Sequence, residues 1–217
     1  MSGRPKYHTQ EGENTVRKLY VAAAACLIAL ASLAARAPEL TKEDRDSALR
    51  YLESTRKNIE EATQGLSDEQ WNFKPGPGRW SVAQVMEHIA AAEDMIRGMI
   101  VEKVLKAPAA PDRDTKKLDA MVLAAIPDRS TKFQAPEPLR PTNRFGSPDG
   151  SLKHFLESRA KTEALLKDTP DLRDHAVDSP MGQKLDAYEW ILFIAAHSDR
   201  HLKQMKEVQA DPNYPKK

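Results

Sequence analysis

Two histidines one helical turn apart, His197 and His201, sit near the end of the largely apolar stretch WILFIAAHSDRHLKQM. Side chains at i and i+4 of a helix stand one above the other, so the two imidazoles can converge on a single point, as helical chelation of a metal requires. Trp190, Ile194 and Val208 share their stripe, which marks that face as the inward one. His88, in VMEHIAAAED, follows Val85 by three and precedes Ala92 by four, so it also faces inward. Three imidazoles from two helices suit a site with three protein ligands and coordination positions left for water or substrate. The plainer reading of each is a hydrogen-bonded core histidine, although three buried without partners would be costly. HSDRH lacks the glutamate that follows the first histidine in HExxH, which disfavours a zincin peptidase. His8, His154 and His175 fall in the leader, a polar helix start and a loop, and are expected at the surface.

The elements that must position these residues read as helices. TKEDRDSALRYLESTRKNIEEATQGL carries Leu49, Leu52, Ile59, Ala62 and Leu66 at helical steps, with Thr41 and Asp44 at its start and Gly65 near its end. SDEQWNFKPGPGRW follows as a turn or loop, because PGPG cannot continue a helix. Ser81 with Gln84 then spells a capping box, flanked by the staple pair Trp80 and Val85. The helix so opened runs towards Pro108, with Val85, His88/Ile89, Ala92, Ile96 and Met99 as its buried stripe. Glu87, Glu93 and Asp94 fall off that stripe, so no general acid or base stands out beside the histidines.

From Ala107 to Gly150 the chain is proline-rich and aperiodic, apart from TKKLDAMVLAAI, a candidate short helix. SPDGSLKHFLESRAKTEALLKD restores the helical period through Leu152, Phe155, Leu156, Leu165 and Leu166. TPDLRDHAVDSPMGQKL is another loop, and the histidine-bearing helix comes last. The expectation is all-α: a four-helix bundle with no strand and with a long irregular connection between the second and third main helices.

Upstream, VRKLYVAAAACLIALASLAARAPEL has the layout of a secretory signal: basic residues, an apolar run and small residues for cleavage. Ala35-Arg36-Ala37 fits the cleavage pattern but precedes Pro38, and Ser32-Leu33-Ala34 fits equally well. Residues 1–37 are therefore expected to be a leader, 38–210 the bundle domain and 211–217 a tail. The protein is expected to be exported, periplasmic or secreted; the alternative is a membrane anchor left by an uncleaved leader. The polar stretch before Val16 is long for a signal, which admits a downstream start codon.

Lys and Arg number 33 against 32 Asp and Glu, so no basic excess exists to drive nucleic-acid binding. Hydrophobic residues at 40%, aromatics at 6% and only nine glycines favour helices over sheets. Cys26 is the single cysteine, so an intramolecular disulfide cannot form.

GPGRWSVAQVMEHIAAAEDMI, followed by EWILFIAAHSDRHLKQM, resembles the DinB-like (DinB/YfiT-type) superfamily of metal-binding four-helix bundles. TNRFGSPDGSLKHFLESR fits that family's third helix, and the likeness runs from Leu40 to Val208. The resemblance implies His88, His197 and His201 as ligands of a divalent ion, commonly nickel or zinc. It implies metal-dependent transfer or hydrolysis on a small substrate, low-molecular-weight thiols included. The alternatives are a bundle that binds a metal or small ligand without turnover, and a helical interaction module with incidental histidines. Gln204, three residues after His201, can hydrogen-bond to it or simply pack the helix surface. Arg200 is expected to pair with an acidic neighbour on the surface, and Trp80 and Trp190 to pack the bundle end. Ligand type alone does not choose the ion, and association into a homodimer is compatible with the sequence without being fixed by it.

Overall fold

The computed structural model describes residues 39–216, so the leader assigned to 1–37 lies outside the described residues. Each main helix begins at a cap written into the sequence. Helix α1 spans Lys42–Thr63, with the Thr41 hydroxyl accepting from Asp44 N and the Asp44 carboxylate accepting from Thr41 N. Its buried stripe is Ala48, Leu52, Thr55, Ile59 and Thr63, so Leu49, Ala62 and Leu66 lie at the stripe's margin. A short α2, Asp68–Asn72, stands where a loop was expected; Ser67 and Gln70 cap it reciprocally, and Trp71 anchors it in the core. Gly78, at φ 71°, supplies the left-handed residue of the PGPG turn.

Helix α3, Val82–Glu102, opens on the expected Ser81/Gln84 capping box, and Trp80 and Val85 join one apolar cluster. A 3-10 turn at Val104–Lys106 follows it. The connection to the third main helix contains α4, Thr115–Ala125, where TKKLDAMVLAAI was predicted to be helical, and a 3-10 turn at Glu137–Leu139. Ser147 caps α5, Pro148–Asp168, with Pro148 in its first turn, where the missing N–H costs nothing. Helix α6, Ala187–Gln209, opens on a capping box of Asp186 and Glu189. Before it, β1 (Ala176–Asp178) and β2 (Lys184–Asp186) form an antiparallel hairpin that was not expected.

Helices α1 and α3 each pack on both α5 and α6, whereas α1 against α3 and α5 against α6 touch little. The cyclic order is therefore α1–α6–α3–α5, and α1 and α3 lie across a diagonal although no other main helix separates them in sequence. Helix α4 covers a flank of α6. No described helix is long and apolar enough to cross a membrane.

The centre of the bundle is polar. Arg159 on α5 is fully buried and donates to both oxygens of Glu93 on α3, at 2.8 and 2.9 Å. It also donates to the Leu52 carbonyl and Thr55 hydroxyl on α1 and to the Ser198 hydroxyl on α6. One guanidinium thus ties together all four main helices, with its donors satisfied and its charge paired. Glu93 does not lie off the buried face as expected. The first half of α3 is enclosed by α2, α5, α6 and the 139–145 segment, so more than one of its faces is inward.

Candidate metal centre

His88, in the second turn of α3, meets His197 and His201 of α6. The Nε2 atoms converge: His88 to His197 at 3.3 Å, and His201 to His197 at 3.1 Å. His88 and His201 are buried, while His197 keeps a part-exposed edge. Trp80 flanks His88 at 5.0 Å between ring centroids, and Phe193 stacks against His197 at 6.2 Å.

What surrounds the outer nitrogens sets their protonation. His88 Nδ1 lies 2.9 Å from the Leu139 carbonyl oxygen, which only accepts, so this nitrogen carries the proton and Nε2 presents its lone pair inward. His201 Nδ1 lies 2.8 Å from Gln204 Oε1, with the same result. Two lone pairs thus face His197 Nε2, which has at most one proton to share. Three imidazole nitrogens converging with two lone pairs fixed inward are a donor set that fits a divalent ion. Metal–nitrogen bonds of about 2.0–2.1 Å separate neighbouring ligand nitrogens by roughly 2.9–3.4 Å, the range of the two separations observed here. Histidine donors with the other ring nitrogen held by an acceptor are the usual environment of such an ion.

Electrostatics point the same way. Burial drives all three imidazoles towards the neutral form that a metal needs: His201 falls to about 3, His197 lies well below the ordinary value, and His88 is lowered. Mutual repulsion adds to this for His197 and His201, and the nearby guanidiniums of Arg144, Arg200 and Arg129 reinforce it around the cluster.

The Leu139 carbonyl is placed by Glu87, the neighbour of His88 in sequence. Glu87 accepts from the backbone amides of Thr142, Asn143 and Arg144 at 2.7, 2.8 and 3.2 Å, and from Arg144 Nε. Burial alone would raise this carboxyl, but those donors outweigh it and hold it below the ordinary glutamate range. Asn143, at φ 62°, lets successive amides turn towards one acceptor. Far from falling idle off the helix stripe, Glu87 anchors the 139–144 segment over His88.

Other expectations need correction. Arg200 is buried and pairs with no acid among the described residues; it donates to the backbone carbonyls of Ile126, Asp128 and Thr131, pinning that stretch to α6. Asp94 faces α5, where it meets the Ser158 hydroxyl and His154 Nε2. His154 stacks on Phe145 at 4.2 Å, so it is partly enclosed. His175 is half-buried and bridges Ala109; His8 lies outside the described residues. Trp190 is in the bundle core, and Trp80 borders the histidines. Leu139, Phe193 and Arg129 are not marked by type or spacing as site residues, and for Leu139 and Arg129 no periodic signal exists to find them.

Fold and site define a four-helix bundle with a three-histidine cluster between two adjacent helices. The chain belongs to the DinB superfamily, which it matches over residues 51–205. It is 32% identical over 147 residues to the uncharacterized protein YuaE of Bacillus subtilis (strain 168), covering 67% of this chain and 86% of that one. Its fold is similar to that of YfiT from Bacillus subtilis, described as "a probable metal-dependent hydrolase with an unusual four-helix bundle topology". That match has a TM-score of 0.52 and 18% identity, and covers 85% of this chain and 97% of the other.

Proposed function

We propose that His88, His197 and His201 hold a divalent ion, nickel or zinc, through their Nε2 atoms, and that the protein uses it to hydrolyse a small molecule. The observation that carries this is the convergence of three Nε2 atoms with two Nδ1 protons fixed by oxygen acceptors. Support for hydrolysis comes from the description of YfiT, whose fold the chain shares. A bound ion would supply Lewis acidity and lower the pKa of water or of a substrate group. The chain's own part is to orient the imidazoles, keep them neutral and admit substrate at the part-exposed edge of His197. Phe193 offers apolar surface beside that edge, and Trp80 flanks His88.

A second reading, metal or small-ligand binding without turnover, is favoured by one feature. The buried carboxylates of α3 are engaged elsewhere: Glu87 holds backbone amides and Glu93 holds Arg159. Elemental analysis of untagged protein, with ester-hydrolysis and thiol-transfer assays on metal-loaded samples, separates the readings. Stoichiometric metal and a hydrolytic rate, both lost in His88→Ala and His201→Ala, are expected. Metal without any histidine-dependent rate would establish the binder, and absence of metal would remove both. Export by the leader belongs to the proposal on sequence grounds; fractionation with N-terminal sequencing of the mature chain tests it.

A further inference from the structure

His88 and His201 receive their outer hydrogen bonds from unlike groups. The acceptor for His88 is a backbone carbonyl, which has one chemical identity. The acceptor for His201 is a side-chain amide, which has two. With its oxygen towards the ring, Gln204 fixes the proton on Nδ1 and leaves the Nε2 lone pair facing the cluster. With its NH2 towards the ring, it would demand a lone pair on Nδ1, move the proton to Nε2 and block coordination. Something must choose between these orientations.

Arg129 stands on the same amide oxygen. Its Nη1 lies 3.4 Å from Gln204 Oε1, while Nε and Nη2 both donate to Glu207 at 2.7 Å. A guanidinium only donates, so it favours the oxygen in that place and disfavours the NH2. The two-point grip of Glu207, three residues beyond Gln204 on α6, holds the fork in the required attitude. The stretch carrying Arg129 is itself fastened to α6: Arg200 donates to the Asp128 and Thr131 carbonyls, and Lys203 donates to the Pro127 carbonyl at 3.3 Å.

We infer that Arg129, held by Glu207, is a positioning residue that locks the Gln204 amide and thereby keeps His201 in the tautomer able to bind a metal through Nε2. The inference rests on the metal reading above, but the tautomer is a property of the metal-free protein, so the two can fail separately. Long-range 1H–15N NMR of metal-free protein reads the His201 tautomer, and chelator competition reads nickel and zinc affinity. In wild type His201 is expected as the Nδ1–H form. Arg129→Met should produce a mixture with the Nε2–H form and weaken metal binding by about ten-fold or more, as loss of a partner outside the ligand set does. Gln204→Glu, whose two oxygens both accept, should restore the Nδ1–H form and the affinity in the Arg129→Met background. A merely structural role for Arg129 would give no such rescue.

Glu207→Gln, at a half-exposed position, repeats the test should Arg129→Met fold poorly. Unchanged tautomer and affinity in the folded variant, or absence of rescue by Gln204→Glu, would overturn the inference. If wild type binds no metal, the metal reading falls, and the tautomer comparison still decides the role of Arg129.

Discussion

Single residues here act mostly on one another's protons. Glu87 touches no histidine, yet its grip on three amides determines where the Leu139 carbonyl sits over His88. Glu87→Ala should therefore weaken metal binding by about ten-fold with all three histidines intact, measured by chelator competition. Burial of the imidazoles also has a cost that can be measured. His201 falls to about 3 in the folded chain, against about 6.5 when unfolded. At neutral pH both states leave it neutral and it contributes no pH dependence. As pH falls below about 6.5 the unfolded chain takes up the proton and the folded chain resists it, so metal-free protein loses stability from this group down to about pH 3. Urea unfolding of the metal-free wild type and His201→Gln at pH 7, 6 and 5 should show the wild type losing stability faster. Parallel slopes would show that the imidazole is not neutral and buried.

At the scale of elements, the Arg159 guanidinium joins four helices that share little direct diagonal contact. Removing it strands Glu93 in the core, so Arg159→Met should cost about 3–5 kcal/mol in chemical denaturation. Arg159→Met combined with Glu93→Leu should recover much of that loss, because no unpaired charge then remains. What sequence reasoning could reach follows the same division. The histidines and Gln204 were legible because a 3.6-residue period places them on one face, and the starts of α1 and α3 because their caps are local. Glu93 was misread because a periodic stripe describes a helix with one buried side, whereas α3 is enclosed on several. The β1–β2 hairpin has strands of only three residues, too short for alternation to register. Leu139 and Arg129 sit in a proline-rich stretch whose course is set by Glu87, Arg200 and Lys203 from other parts of the chain, and no local rule contains that information.

For the whole molecule, the order of the helices carries a kinetic consequence. The two contacts that complete the cluster join residues 51 and 109 positions apart. Closing such loops costs chain entropy before any contact compensates for it. A bare cation can find the His197–His201 pair on a nascent helix, but the third nitrogen arrives only once α3 and α6 are docked. Stopped-flow chevrons with and without zinc should therefore show the refolding arm nearly unmoved and the unfolding arm slowed, as expected of an ion that would strengthen contacts formed after the transition state. Occupancy would then lengthen the lifetime of the folded chain without hastening its birth, and loading would follow folding.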